Sequence, residues 1–540
     1  MLAAPASEVL DKEISPMIIR SLVKKGAYHD SVSLMKAAKE LNAGGGVVDS
    51  AIVMATKENK GIARNSGLYT QELDKAGDND LVITVKARDL KSAGAALKKA
   101  EELLSRKVRP DARSGVSGAL HAKGIDNAAE MLGGANLAVI SVAGRFAGKA
   151  AMDCLQRGMH IMLFSDNIPL ETEIALKKEA LKKGLLVMGP DCGTAIINGA
   201  PLCFANSVSR GGIGIVAASG TGLQEVSTLI SNEGSGVSQA IGTGSRDVKK
   251  EVGAITLIQG LKALAEDRDT SLIVIVSKPP HPDVLAKILA EVKKIKKPVV
   301  SVMLGGDARL PEKKDFYSAR TLEEAALKAV YLVKDGSPHK AKERLFDINT
   351  GVQAAALAQA GNKTKKQKYL RGLFSGGTFV SEAQIVLNEI TGPLWSNAPL
   401  DKKYKLADSL KLKGNCVIDM GEDEFTVGRP HPMIDFSLRN KLIVSQAADP
   451  ETAVILLDVV LGYGANMRPL EDILPSIHEA FKANRTLSIA ASVTGTETDP
   501  QVRSKVVAGL RKAGVLVMPS NAGACRLAGA IVKRLNAECK

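Results

Sequence analysis

The 540-residue sequence predicts a multidomain α/β protein built on parallel sheets, and three observations carry that expectation. Apolar runs of strand length alternate with segments of helical period through short connections, which places strands in a sheet with helices on its faces. Aromatic residues make up only 3% of the chain, so the cores must be assembled from Ala, Val, Ile and Leu, which suit a sheet buried on both sides. One strand–turn–helix unit is also written twice.

The first copy is Gly212-Ile-Gly-Ile-Val-Ala-Ala-Ser219-Gly220-Thr221-Gly222-Leu-Gln-Glu225. Ile213 to Ala217 reads as a buried strand, Ser219 to Gly222 as a tight turn, and Leu223 onward as a helix with Leu223, Val226 and Ile230 on one face. Glycines let backbone N–H groups approach a ligand, and an exposed helix N-terminus favours an anion. No Gly-Lys-Ser/Thr follows, so the turn is not a Walker A loop. The second copy is Leu370-Arg-Gly-Leu-Phe-Ser375-Gly376-Gly377-Thr378-Phe-Val-Ser-Glu382. Glu382 stands at the same offset from Gly377 as Glu225 does from Gly220.

The correspondence continues in order. Val237 to Asp247 matches Cys416 to Asp423, Leu272–Val276 matches Ala453–Leu457, and Pro298 to Gly306 matches Leu487 to Gly495. Each unit closes with a short strand and an Ala-rich helix, from Ala319 and Ala522. The domain plan follows: a leader over 1–16, a small α/β domain over 17–110, a second α/β domain over 111–208, the first repeat over 209–345, a linker over 346–368 and the second repeat over 369–540.

The small domain is expected to run strand Met17–Val23, helix Ser31–Asn42, strands Val47–Thr56 and Leu81–Lys86, and helix Leu90–Lys107. Residues 111–125 are polar and Gly/Ser-rich. The next domain starts with strand Leu137–Val142, a Gly144 turn, helix Ala147–Arg157 and strand His160–Phe164. Helix Glu171–Lys183 and strand Leu185–Met188 lead to Gly189-Pro190-Asp191-Cys192, at the strand ends where parallel sheets form their ligand crevice. Val352–Ala360 is expected to be a helix ahead of the basic linker.

Composition excludes several classes. The net charge is +14, but the lysines fall in pairs on helix surfaces and in the linker Lys363-Thr-Lys-Lys-Gln-Lys368, with few aromatics interleaved for base stacking. A solvated basic surface that attracts anionic substrates is expected, with no nucleic-acid partner. The six cysteines are dispersed without metal-ligand spacing, as for reduced thiols, and no metal site is assigned. There is no apolar run long enough to span a bilayer and no signal-like N-terminus, so a cytoplasmic protein without a membrane partner is expected. The most polar motif is Asp419 to Asp435. Within it two prolines fix His431, and Arg429, His431 and Arg439 are the candidates for binding a carboxylate or phosphate. The run Glu422-Asp-Glu424 reads as a solvated acidic loop, with Mg²⁺ as the ion it would take.

Gly189-Pro-Asp-Cys192 followed by Gly212-Ile-Gly-Ile-Val and Ser219-Gly220-Thr221 resembles the α subunit of succinyl-CoA synthetase. The last repeat resembles the carboxyl-terminal ligase domain of the β subunit. Over essentially the whole chain the closer resemblance is to the FdrA family, through Lys24-Lys-Gly26, Asp30 to Met35, Gly189 to Thr194, Ser277-Lys-Pro-Pro280, Val427 to Asp435 and Val493 to Glu497. The resemblance implies a Rossmann-like CoA-binding-type domain over 111–208 and two tandem flavodoxin-like ligase-type domains. It also implies oxamate carbamoyltransferase activity in purine and allantoin breakdown, making carbamoyl phosphate and oxamate from oxalurate and phosphate or the reverse.

The sequence departs from the synthetases where their phosphorylated histidine stands: neither Gly305–Arg320 nor Gly495–Ser520 contains a histidine. An ATP-grasp domain and the Gly-rich first strand and turn of the CoA-binding fold are also missing. Phosphohistidine relay is therefore not expected. The helix N-termini after Ser219-Gly220-Thr221-Gly222 and Ser375-Gly376-Gly377-Thr378 remain as a phosphate cradle, and carbamoyl transfer requires no enzyme nucleophile. Cys192 is accordingly expected to be structural. The preferred expectation is a carbamoyltransferase subunit binding carbamoyl phosphate or another small anion alongside other enzyme subunits. The alternatives are an acyl-CoA synthetase subunit with a separate ATP-grasp partner, and a non-catalytic acyl-CoA-binding scaffold. No cofactor is fixed; CoA and Mg²⁺ are the candidates.

Overall fold

Why the repeats take the same form is visible in their strands. The apolar runs pair in parallel, and each Gly-containing turn sends the chain back over the sheet as a helix. The computed structural model describes residues 17–27, 29, 31–42, 44–65, 67–105, 122, 124–305, 315–426 and 429–538. The leader, most of the stretch 111–125, and Val427 and Gly428 lie outside the described residues. Two units are distinguished: Met1–Ala119 with Thr426–Pro430, and Leu120–Phe425 with His431–Lys540.

In the first unit the order is β1 (Ile18–Lys24), α1 (Ser31–Asn42), β2 (Val47–Met54), α2 (Lys57–Asn65), β3 (Leu81–Ala87) and α3 (Leu90–Ser105). The sheet is antiparallel with β3 in the centre, and β3 is accordingly the most buried of the three strands. Leu41, Ile83, Val85, Ala93 and Ala100 form the core under α1 and α3.

The second unit begins with α4 (Ile125–Met131) and a parallel sheet of β4 (Leu137–Ile140), β5 (His160–Leu163) and β6 (Val187–Met188). Helices α5 (Gly144–Gln156) and α6 (Leu170–Lys183) connect its strands. Glycine stands at the first position of α5 because a Cβ on Gly144 would run into the carbonyl oxygens of Asp166 and Asn167. Lys177 on α6 is fully buried, with Nζ 2.7 Å from Asp247 Oδ1, 2.9 Å from Glu173 Oε1 and 3.0 Å from Thr243 O.

A hairpin of β7 (Thr194–Ile197) and β8 (Ala200–Cys203), within the span expected for the preceding domain, extends the sheet of the first repeat, an addition the sequence did not signal. The repeat itself runs as β9 (Arg210–Ala217), α7 (Gly220–Asn232), β10 (Val237–Gly242), α8 (Ile255–Glu266), β11 (Leu272–Ser277), α9 (Pro282–Val292), β12 (Val299–Met303), β13 (Phe316–Ala319) and α10 (Leu322–Asp335). Helix α11 (His339–Ala360) takes up most of the expected linker. It is ordered because Val352, Ala356 and Ala360 join the shared core.

The second repeat is β14 (Tyr369–Phe374), α12 (Gly377–Thr391), β15 (Trp395–Ser396), β16 (Cys416–Asp419), α13 (Asp423–Thr426), α14 (Ser437–Ala448), β17 (Thr452–Val460), α15 (Pro469–Ala483), β18 (Ser488–Thr494), α16 (Arg503–Lys512), β19 (Leu516–Met518) and α17 (Asn521–Glu538). Strand order is β10-β9-β11-β12-β13 in one repeat and β16-β14-β17-β18-β19 in the other, the same 2-1-3-4-5 winding. One continuous core joins them through α7, α10, α12 and α17. Helix α7 is therefore buried on every side from Gly222 to Ile230, not on the single face its apolar period predicts.

Lys363 also departs from the solvated lysine surface. Its Nζ bonds Ser488 Oγ at 2.6 Å, and burial pulls the amine down to about 8.

Candidate functional site

The two repeated turns meet. Ser219 is extended and caps α7, its Oγ accepting from Gly222 N at 3.0 Å. The equivalent residue before α12 is Gly376, and a Cβ there would lie 2.5 Å from Thr221 Cγ2, so Thr221 fills the place of a capping side chain. Conversely Thr378, the equivalent of Thr221, brings Oγ1 within 2.6 Å of Ser219 Oγ. The helix N-termini thus abut across an approximate twofold relation. Among the described residues, no hydrogen bond engages the backbone N–H groups of Gly220, Thr221, Gly377 or Thr378. Ser219, Gly220, Thr221 and Gly377 reach solvent, while Gly222, Gly376 and Thr378 are buried. An anion would lie beside the hydroxyl contact, because the two turns touch directly.

Strand ends of the second repeat supply the walls. Asp419 closes β16, its Oδ1 accepting from Gly421 N at 2.9 Å and its Oδ2 crowding the position a Gly377 Cβ would take. Burial, with Glu422 nearby, pushes this carboxyl up to about 7. Lys278 Nζ lies 3.7 Å from that same Gly377 position. His431 is half-buried, and its Nδ1 accepts from Met433 N at 3.2 Å, which leaves the ring proton on Nε2. Nε2 and Asp419 Oδ1 flank Gly421, 3.2 and 3.1 Å from where its Cβ would stand. Burial and the Arg439 charge pull the imidazole down to about 4, so it is neutral at pH 7.

Arg439 is fully buried, donating from Nη1 to Asp458 O at 2.8 Å and lying over the Phe436 ring. Its Nε and Nη2 have no hydrogen-bond partner among the described residues. Ser375 is spent on Asp458, whose Oδ1 accepts from Ser375 N at 2.8 Å and whose Oδ2 takes the hydroxyl. Ser375 is therefore a brace for the turn, not an anion donor.

Two further sequence expectations need correction, Arg429 as an anion ligand and Gly189–Cys192 as an open crevice. Arg429 groups with the N-terminal unit, where Nη2 pairs with Asp49 Oδ2 at 3.2 Å. Its guanidinium is already committed to that pair. Of Gly189, Pro190, Asp191 and Cys192, only Asp191 reaches solvent; the other three are buried. Partial enclosure, with the Asp166 and Asp423 charges, raises Asp191 to about 6. The Cys192 thiol sits in the core, where burial pushes it up to about 12, unsuited to a nucleophile at neutral pH. The crevice adjoins the site through Phe204, whose ring lies 5.8 Å from His431. The acidic loop is exposed at Glu422, Asp423 and Glu424, as expected, with Glu424 held by Asn397 Nδ2 and Ser409 Oγ, each at 2.8 Å.

Sequence reasoning noted the matched offset of Glu225 and Glu382 but not its consequence. Glu225 Oε1 accepts from Asn521 N, at the start of α17, at 2.9 Å. Glu382 Oε1 accepts from Leu322 N, at the start of α10, at 2.6 Å. Each repeat thus caps the last helix of the other. Burial pushes Glu382 up to about 8, the Glu225 and Glu323 charges adding to it; Glu225 is raised in the same direction.

Comparisons with known proteins agree with this architecture. Residues 373–531 match the CoA-ligase family, and residues 17–119 match the family described as AllF, heavy metal-associated domain. Residues 17–119 contain no cysteine, and no group of three or more metal-ligating side chains occurs among the described residues. YahF of Escherichia coli (strain K12) is 40% identical over 509 residues, covering 94% of this chain and 97% of YahF. Succinate–CoA ligase [ADP-forming] subunit alpha 1 of Archaeoglobus fulgidus is 25% identical over 32% of this chain and 60% of its own length. The ADP-forming sulfoacetate-CoA ligase subunit SauD of Bilophila wadsworthia is 28% identical over 32% of this chain and 61% of its own. The chain thus spans less than two thirds of these ligase subunits. Its multidomain α/β fold, with a small N-terminal domain and CoA-ligase-like domains, is of the succinyl-CoA synthetase type. Among the described residues no helix is long and apolar enough to cross a membrane.

Proposed function

We propose that this chain, which belongs to the same family as YahF of Escherichia coli, is the subunit of an oxamate carbamoyltransferase that holds carbamoyl phosphate. The observation that carries this reading is the meeting of two helix N-termini, with unused N–H donors beside Lys278, at a carboxyl raised to about 7. The phosphate of carbamoyl phosphate lies at the Gly220 and Gly377 N–H groups. The neutral His431 donates from Nε2 to the carbamoyl oxygen, where negative charge develops. The oxamate nitrogen attacks the carbonyl carbon, the C–O bond to phosphate breaks, and Asp419 takes the proton that nitrogen loses. No covalent enzyme intermediate is needed.

A second reading, an acyl-CoA synthetase subunit working with a separate ATP-grasp partner, draws support from the CoA-ligase match and the two ligase relatives. A paired assay of the full chain with its co-purifying proteins decides between them. Oxalurate formation with phosphate release from carbamoyl phosphate and oxamate is expected. CoA-dependent ATP hydrolysis without carbamoyl transfer would replace the first reading by the second.

A further inference from the structure

A cavity of about 540 Å³ lies between the C-terminal end of α7, helix α11 and the α16–β19 segment. It is not part of the site above. Along α7, Asn232 on its wall stands roughly 18 Å from Gly220 at 1.5 Å per residue. Leu229, Val507 and Met518 give it an apolar side, and Arg344, Arg503 and Arg511 a basic one.

The two glutamates on the wall are already engaged. Glu233 Oε1 accepts from Arg344 Nε and Nη2 at 3.3 and 3.2 Å. Glu497 Oε1 accepts from Ser504 N at 2.9 Å, at the start of α16. Arg503 and Arg511 are different. Arg503 Nε donates to Val493 O at 3.2 Å and Arg511 Nη2 to Val517 O at 3.3 Å, and neither forms an ion pair among the described residues. Burial lowers Arg503, the nearby charge of Arg511 lowers it further, and Glu225 and Glu497 oppose the shift. Two guanidiniums with forks to spare therefore share one wall, without a carboxylate bound to either.

The geometry points to a second ligand site in this cavity, one that takes a phosphate monoester carrying an apolar body. A phosphate monoester brings a charge of about −2 to two guanidiniums, each able to engage its oxygens through two N–H groups. A monocarboxylate would leave one cation unmatched. The volume exceeds what bare phosphate fills and falls in the range of small-molecule sites, and the apolar side accounts for the remainder. This inference does not depend on the carbamoyl-transfer reading.

Calorimetric titration of the full chain with phenyl phosphate tests it, with inorganic phosphate as the comparison. Phenyl phosphate should bind more tightly than phosphate. Arg511→Gln, at an exposed position, should weaken it by roughly 10- to 100-fold, the range for a lost charge-assisted hydrogen bond, with Arg503→Gln as the second variant. Gly377→Ala, at the repeated turn, should leave the Arg511-dependent part of phenyl phosphate binding unchanged. Absence of binding, or binding that survives Arg511→Gln and falls with Gly377→Ala, would overturn the cavity assignment. The second of those outcomes would place the phosphate ester at the turn.

Discussion

Ser219 Oγ and Thr378 Oγ1 lie 2.6 Å apart, though 159 residues separate them in the chain, and this contact joins the two repeats at their helix N-termini. The relation is reciprocal but not identical: Thr221 packs on Gly376 where Thr378 bonds Ser219. Duplication gave two turns, and divergence left a hydroxyl at one and a glycine at the other.

Ser219→Ala removes both the α7 cap and the bond to Thr378. Loss of a helix cap alone typically costs about 1 kcal/mol, so chemical denaturation should show destabilisation of at least that size. Thr378→Val keeps the volume, leaves the cap in place and removes only the cross-repeat bond. It should therefore cost less than Ser219→Ala. The reverse order would mean that the contact between repeats outweighs the cap.

Gly220 and Gly377 are equivalent in sequence but not in space. A Cβ at Gly220 meets nothing closer than Thr194 Oγ1 at 3.5 Å, whereas one at Gly377 collides with Asp419 Oδ2. Gly220→Ala should fold and turn over nearly like the parent. Gly377→Ala must displace Asp419 and should lower turnover by a factor of ~10²–10⁴, as for loss of a general base. Equal behaviour of the two variants in a carbamoyl-transfer assay would show that the Gly377 side holds no reacting group.

Much of the fold was legible because parallel strands buried on both faces are written as unbroken apolar runs, and Ser219 to Gly222 and Ser375 to Thr378 interrupt them with turn chemistry. What lay beyond sequence was how the repeats use one another. Helix α7 carries an amphipathic period yet is buried all round, because α10 and α12 cover what would otherwise be its polar face. Glu225 and Glu382 reveal their role only when the partner helix is known. Arg429 stands in the most polar motif of the sequence, and nothing in that motif signals its pairing with Asp49. Lys177 lies on the expected helix Glu171–Lys183, and nothing in that helix's sequence signals that it is sealed inside.

Lys177 holds two buried carboxylates, and Asp247 in turn accepts from Leu257 N at 2.8 Å, near the start of α8. Lys177→Ala would strand Glu173 and Asp247 without their shared cation. Breaking a buried pair from one side costs about 3–5 kcal/mol, and a loss of that order is expected in denaturant titration. A loss below about 1 kcal/mol would show that water or Arg246, 2.9 Å from Glu173, takes over the compensation.

Asp419, raised to about 7, gives the proposed transfer a pH signature. The carboxylate accepts the proton, so kcat/KM should rise with pH and level off above about 7. Asp419→Asn should lose turnover together with that ascending limb. His431, at about 4, should contribute no inflection between pH 5 and 9. An unchanged limb in Asp419→Asn would assign the titration to another group, with Asp191 at about 6 next in line.

Glu382 makes the joint between repeats sensitive to pH. Its carboxyl is raised from 4.5 to about 8 in the folded chain, so the native state holds the proton more tightly than the unfolded state. The stabilisation is complete below 4.5 and is lost as pH rises towards 8, because unfolding relieves the buried charge. Glu382→Gln keeps an oxygen to accept from Leu322 N and carries no charge to bury. Stability of this variant relative to the parent should therefore grow across that window. Paired denaturant titrations at pH 5 and pH 8 give the comparison free of other titrating groups, provided their environments are alike in both proteins. If the difference between variant and parent is the same at both values, Glu382 titrates near its ordinary value and the cross-cap is an ionised one.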